Sequence, residues 1–314
     1  MRKTSLHRKC QRNTRSQLTC WAIFTPNRRF MKLRFFTFFF SFFTFLVSFA
    51  QSDDFGMDFS VSAEKKLRPG THVSVEGGVR TMDDTKKVDR WTVSLSADQR
   101  LYSNGTFDLK AGLKWEYMWM NYPEQTKDKY EDHEYFNGEN TTTKTEYMGY
   151  NHRHQFWRGR HRTSLSLTAE YQPNKRWSFS WKEMVQYSHL NKAHTTMDRY
   201  RIDDVDEDEE GNLIYYYYKD EDNNIKNYKV KDRVLLRSKV GVDYNIRKCP
   251  IDPYVSAEYG CGLNYSTNKW KFTVGTDIKI NKQNKIDLFY RYQIEDDDDE
   301  PNGHFIGLGY NFKF

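Results

Sequence analysis

The stretch Phe107-Asp108-Leu109-Lys110-Ala111-Gly112-Leu113-Lys114-Trp115-Glu116-Tyr117-Met118-Trp119 decides the fold. Apolar and aromatic side chains hold the odd positions, while Asp108, Lys110, Gly112, Lys114, Glu116 and Met118 hold the even ones. A period of two belongs to a β-strand and not to a helix. A soluble β-sandwich alternates in the same way, so alternation alone does not separate it from a membrane barrel. Length does. The run continues to Tyr122, well beyond the roughly 5 or 6 residues of a globular strand. It suits a tilted membrane strand, which needs about 9 to 11 residues plus an extension into solvent.

Comparable runs lie near residues 58–67, 71–81, 90–102, 162–171, 177–190, 232–246, 253–262, 269–280, 285–295 and 304–314, which makes eleven in all. Connectors near 68–70, 103–106, 172–176, 247–252 and 281–284 are short. Those near 82–89, 122–159, 191–231, 262–268 and 296–303 tend to be longer. This asymmetry is that of a barrel with tight periplasmic turns and larger outer loops. The expected fold is therefore all-β, a transmembrane antiparallel up-and-down β-barrel of 10–12 strands. Twelve is preferred, because single-chain bacterial barrels normally have an even number with both ends in the periplasm.

The closing residues fit that address. In the last run Ile306, Leu308, Tyr310, Phe312 and Phe314 would face lipid, and Gly307, Gly309, Asn311 and Lys313 the lumen. Gly309, Phe312 and Phe314 make a glycine-x-x-aromatic-x-aromatic ending that resembles the signal read by bacterial barrel-assembly machinery; Gly307 stands where a polar residue is usual. At the other end, Lys32 and Arg34 precede an apolar run at 35–49, and Ser48-Phe49-Ala50 offers small residues for cleavage between Ala50 and Gln51. A run of fifteen residues falls short of the roughly 20 of a spanning helix. The expected organisation is a start-site over-call or extension at 1–30, a signal peptide at 31–50 and an outer-membrane barrel at 51–314.

Ten of the 49 Lys and Arg residues, and none of the 43 Asp and Glu, lie in residues 1–50. The remainder carries 39 basic against 43 acidic side chains, a net charge of −4. The basic balance of the whole chain leaves with the leader, and with it the case for a nucleic-acid partner. Cys249 and Cys261 do not make a disulfide framework.

The chain resembles the outer-membrane barrels of Bacteroidetes grouped as domain of unknown function 2490. The residues that carry the resemblance, in order, are Ala63-Glu64-Lys65-Lys66-Leu67, Asp89-Arg90-Trp91, Trp157-Arg158-Gly159-Arg160-His161-Arg162 and Leu236-Arg237-Ser238-Lys239. Pro253-Tyr254-Val255-Ser256-Ala257-Glu258, Tyr290-Arg291-Tyr292-Gln293 and Gly307-Leu308-Gly309-Tyr310 complete them. The resemblance implies the barrel and the outer membrane, and brings no activity or catalytic residue.

Strand parity assigns Lys114, Glu116, Arg162, Glu170, Arg237, Lys239, Asp287 and Arg291 to the lumen, with both signs present. A mixed lining argues against strong ion selectivity. His152, His154 and His161 are candidates for a metal cluster or a rim active site, with a solvated loop base as the plainer reading. Asp204, Asp206 and Asp208, in the acidic run 203–210, are weak metal candidates, since hard cations take oxygen ligands; the helix-loop-helix calcium pattern fails because Glu209 stands at its glycine. Ile214-Tyr215-Tyr216-Tyr217-Tyr218 and the run 225–230 suggest a hairpin above the barrel. The expectation is a passive narrow pore, or a structural and surface-interaction barrel. It has no catalytic residue and no cofactor. Its partners are outer-membrane lipid, lipopolysaccharide, the assembly machinery and a glycan or protein at the outer loops. The alternatives are an outer-membrane lipid-modifying or proteolytic enzyme and a secreted soluble β-protein or adhesin.

Overall fold

Alternation gives each strand one polar and one apolar face, and its backbone groups are satisfied only when strands pair edge to edge. The computed structural model describes residues 54–136, 141–220, 224–296 and 302–314, which form sixteen strands and no helix. The leader segments 1–30 and 31–50, with Ala50 and Gln51, lie outside the described residues.

The strands are β1 (Asp54–Arg68), β2 (Thr71–Met82), β3 (Lys87–Ser103), β4 (Phe107–Tyr122), β5 (Gln125–Phe136), β6 (Thr141–Arg153), β7 (Phe156–Tyr171) and β8 (Trp177–Leu190). They continue with β9 (Ala193–Glu207), β10 (Leu213–Asp220), β11 (Ile225–Tyr228), β12 (Lys231–Tyr244), β13 (Ile251–Gly262), β14 (Asn268–Lys279), β15 (Asn284–Glu295) and β16 (Gly303–Lys313). Eleven of them close a barrel in the order β1-β16-β15-β14-β13-β12-β8-β7-β4-β3-β2. This is the number of runs counted in the sequence. The twelfth strand preferred on parity is absent among the described residues. Parity is met instead by a single parallel pair: β1 lies beside β16 from Asp54 opposite Gly303 to Glu64 opposite Lys313. All other neighbours in the wall are antiparallel.

Five short turns gather at one end, and three of them share a device. Asn104, Asn174 and Asn281 each accept two backbone N–H groups from the residues that follow, at 2.7–3.1 Å. Asparagine closing a turn on its own backbone explains why such brief connectors suffice. The opposite end carries the two excursions of the chain, β5–β6 and β9–β11.

The outward face of the wall is apolar. Val75, Val93, Leu95, Leu113, Leu165, Leu167, Val185, Val240 and Val255 are all exposed there, Leu165 by 63 %. Aromatic pairs flank this band: Tyr102 with Phe107 and Trp177 with Tyr244 at the short-turn end, Trp119 with Trp157 and Tyr259 with Trp270 at the other. Phe314, 69 % exposed, and Phe312 belong to the same outer surface, while Gly309 turns inward beside Ser60 and Asp287. Glu183 breaks the pattern at mid-strand. Trp181 Nε1 donates to it at 2.6 Å, and the Ser238 hydroxyl lies 2.7 Å from both carboxylate oxygens.

The excursions form a second sheet in the order β10-β9-β6-β5, with β11 also on β9. Two expectations are corrected here. The tyrosine-rich segments do not form a hairpin with each other, because β10 pairs with 199–207 and β11 with 193–196 along the single long strand β9. The acidic residues 203–207 are not a loop but the far half of β9. Tyr215 and Tyr217 pack on Tyr147 and Tyr150 of β6, with centroids 5.4 and 5.2 Å apart. Aromatic packing between these rings favours the pairing over the local alternative.

This outer sheet stands on a buried cluster of Met118, Met120, Tyr122 and Phe156, against which Ala193 and Tyr228 pack. Phe156 stacks between Tyr122 at 4.9 Å and Tyr228 at 4.8 Å. Arg158 adds bonds to the carbonyls of Asn191 and Lys229 at 2.8 and 2.7 Å. Phe156→Ala removes the middle ring and costs about 3 kcal/mol at this junction. Limited proteolysis should then cut within 191–230 while the barrel keeps its heat-modifiable migration.

Candidate functional site

The inward face of the eleven strands surrounds a cavity of about 490 Å³. Lys114, Glu116, Arg162, Arg237, Lys239, Asp287 and Arg291 line it. Glu170 lies deeper towards the short turns, hydrogen-bonded by Lys110 at 2.6 Å. The structure adds Asp58, Arg80, Arg90, Lys182 and Glu258 to the lining, none of which stood among the sequence candidates. Parity alone could have supplied them. Lys182, for example, alternates with Trp181 and Glu183, but its run is diluted by Met184 and the serines.

The charges form three linked groups. Glu116 receives Arg162 at 3.1 Å and Lys114 at 3.3 Å. Glu258 receives Arg237 through Nε at 2.9 Å, and the same guanidinium reaches Gln186 Oε1 at 2.7 Å. Asp58 is held by Arg80 at 2.9 Å and Arg291 at 3.1 Å, which ties β2, β1 and β15 together across the parallel seam. Arg80 also lies over the Phe305 ring and Arg291 over Phe289, at 4.7 and 4.6 Å. Planar guanidinium groups suit such stacked and paired roles better than lysine. Tyr254 donates to Asp287 at 2.9 Å.

Both signs are present in the lining, with basic side chains the more numerous. Ten basic and five acidic side chains border the cavity. Overall composition hides this, because acidic residues concentrate in the outer sheet and loops.

Burial is graded along the barrel. On the inward face of β12, Arg233 and Leu235 are buried, Arg237 is half-buried, and Lys239 and Asp243 are exposed. The long-loop end is filled by Phe305, Gln293, Met118, Met120 and Leu190, all nearly inaccessible, with Arg160 and Arg233 beside them. Water therefore reaches the cavity from the short-turn end.

The other sequence candidates are scattered. His154 Nε2 meets Asp198 at 3.0 Å and His152 Nδ1 meets Thr126 at 3.1 Å, their rings 5.0 Å apart. His161 is on the outward face of β7, beside Tyr117 at 4.8 Å and His189 at 6.5 Å. The three histidines do not converge. Asp208 spends both oxygens capping its own turn, on the amides of Glu210 and Asn212 and the Asn212 side chain. Asp204 accepts the Val205 amide, and Asp206 sits beside it in β9. Among the described residues no group of His, Cys, Asp and Glu has the geometry to hold a metal ion. Cys249 and Cys261 are unbonded.

The chain belongs to the family described as protein of unknown function DUF2490, whose model matches residues 55–304. Among solved structures it is similar to the beta domain of the Bordetella autotransporter BrkA, at 10% identity and a TM-score of 0.39, over 78% of this chain and 82% of that one. It is also similar to the CymD monoaromatic hydrocarbon channel, at 12% identity and a TM-score of 0.25, over 76% of this chain and 82% of that one. No curated protein matches the sequence.

Two outcomes follow from the ion pairs. Asp58→Asn leaves two guanidinium groups without their shared counter-charge, and losing one partner of a buried pair costs about 3–5 kcal/mol. Urea unfolding should show that loss, and Asp58→Asn with Arg291→Met should recover part of it. In the outer sheet, hydrogen bonds from Lys219 and then His154 hold the Asp198 carboxyl below its ordinary value of 3.8. A depressed carboxyl stabilises above that value and ceases to as pH falls through the lower one. Amide exchange at Lys219 and Asp220 should accelerate below about pH 4, and Asp198→Asn should remove that dependence.

Proposed function

We propose that this chain spans the outer membrane of a Gram-negative, Bacteroidetes-type envelope. There it acts as a narrow passive conduit whose resting state is closed at the outer end. The observation that carries this reading is the contrast between the two faces of the wall. Outside lies a continuous exposed apolar band between aromatic girdles; inside lies a cavity lined by charged side chains. Monomeric soluble proteins rarely expose so large an apolar surface, whereas an apolar band with aromatic girdles and a polar interior suits a membrane barrel. The secreted soluble alternative would have to bury that band in another way.

In this reading residues 31–50 direct export and are removed after Ala50, and Gly309, Phe312 and Phe314 are read by the assembly machinery. Outer-membrane lipid and lipopolysaccharide surround the wall. The short turns face the periplasm, so the wet end of the cavity opens there and the filled end lies under the outer sheet. Tyr216 and Tyr218, exposed on β10, favour a second role for that sheet in contacting a glycan or a protein. No catalytic step is assigned, since His152, His154 and His161 serve separate contacts.

Planar-bilayer recording tests the conduit. The wild-type protein should be nearly silent. Phe305→Ala combined with Met118→Ala, which empties the outer layer, should give discrete conductance steps. A correctly folded double variant that stays silent would overturn the conduit and leave a closed structural barrel.

A further inference from the structure

We propose that the cavity is a binding site for a small, soluble, phosphate-bearing polyanion, centred on Lys182 and Lys239. The inference rests on the reading of the interior as a water-filled vestibule, and it concerns occupancy rather than passage.

Lys182 and Lys239 are directly opposed cross-strand neighbours on β8 and β12, and both face the cavity. Like charges directly opposite each other on a sheet destabilise it. Neither lysine has a carboxylate at ion-pair distance among the described residues. Asp98 acts on Lys182, and Glu258 and Asp243 on Lys239, only through space. Of the carboxylates that line the cavity, Glu116 is engaged by Arg162 and Lys114, Glu258 by Arg237, and Asp58 by Arg80 and Arg291. Glu76 lines the β2 wall of the same cavity, and Lys285 and Arg90 are paired beyond the lining, with Asp277 and Asp89. The adjacent ammonium groups of Lys182 and Lys239 are best neutralised by an anion that enters the cavity. A multivalent one matches two adjacent ammonium groups and pays less entropy than two monovalent ions.

Size narrows the ligand. About 490 Å³ lies within the range of small-molecule pockets, roughly 300–1,000 Å³, and admits a phosphorylated sugar or a nucleotide. The buried layer at the long-loop end gives the site a floor, and the exposed short-turn end gives it an entrance.

Isothermal titration of the detergent-purified full chain with pyrophosphate tests this at about 150 mM sodium chloride, where diffuse screening is already short-ranged, about 8 Å. We expect saturable binding with a stoichiometry near one, weakened at least tenfold in Lys182→Gln with Lys239→Gln. The ligand-free double variant, relieved of its charge repulsion, should melt no lower than the wild type, which separates loss of the site from loss of the fold. Absence of saturable binding, or binding unchanged in the double variant, would overturn the proposal. Because titration reads no current, a barrel that binds and never conducts would sink the conduit alone, and one that conducts without binding would sink the site alone.

Discussion

An eleven-stranded meander can close only if its first and last strands run in the same direction, and much of this structure answers to that constraint. Parallel ladders are slightly weaker per residue than antiparallel ones, and the β1–β16 pair is the only parallel pair in the wall among the described residues. Side chains reinforce it from within. Asn311 donates to Ser62 at 2.8 Å, Lys313 meets Glu64 at 3.2 Å, and Arg291 crosses to Asp58. Packing does the same. A Cβ at Gly307 would lie 1.9 Å from the Phe289 ring, and one at Gly56 would meet Thr81 O at 2.3 Å. Gly307 therefore departs from the usual assembly ending for a local reason, since Phe289 fills the space a side chain would need.

The interior follows from the same closure. A barrel of this width leaves more room than side chains fill, and the chain fills only one end. Apolar residues and buried arginines occupy the mouth beneath the outer sheet, while serines, lysines and carboxylates leave the other end wet. Pairing the interior charges fully would have required as many carboxylates as cations around the cavity. Some of the cations reach carboxylates beyond the cavity instead, as Lys285 does Asp277 and Arg90 does Asp89.

The eleven wall strands were legible because a long period-two run carries the same message at every position: a slip by one residue would turn an entire apolar face inward. Parity was misleading because it is a rule about known barrels and not a physical necessity once a parallel seam is available. The outer sheet was less legible. Tyr215 and Tyr217 look like half of a local hairpin, yet their rings pack on Tyr147 and Tyr150, some seventy positions away in sequence, and local pattern cannot report such a contact. The lumen residues were found wherever alternation was strong, as at Lys114 and Glu116. They were missed where small residues weakened it, as at Asp58 and Lys182. Glu183 shows the limit of parity itself, since a carboxylate at an outward position is tolerated when Ser238 and Trp181 satisfy its oxygens.

The outer sheet and the closed mouth are not separate devices. β4 carries Met118 and Met120 into the layer that fills the barrel and then, two residues on, Tyr122 into the stack under the sheet. β7 does the same in reverse, with Phe156 in the stack, Arg158 reaching the carbonyls of Asn191 and Lys229 at the base of the excursion, and Arg160 buried in the mouth. Close-packed layers transmit displacement because they contain little free space. The side chains that fill the long-loop end of the barrel and those that carry the outer sheet therefore lie in one continuous packed layer along β4 and β7.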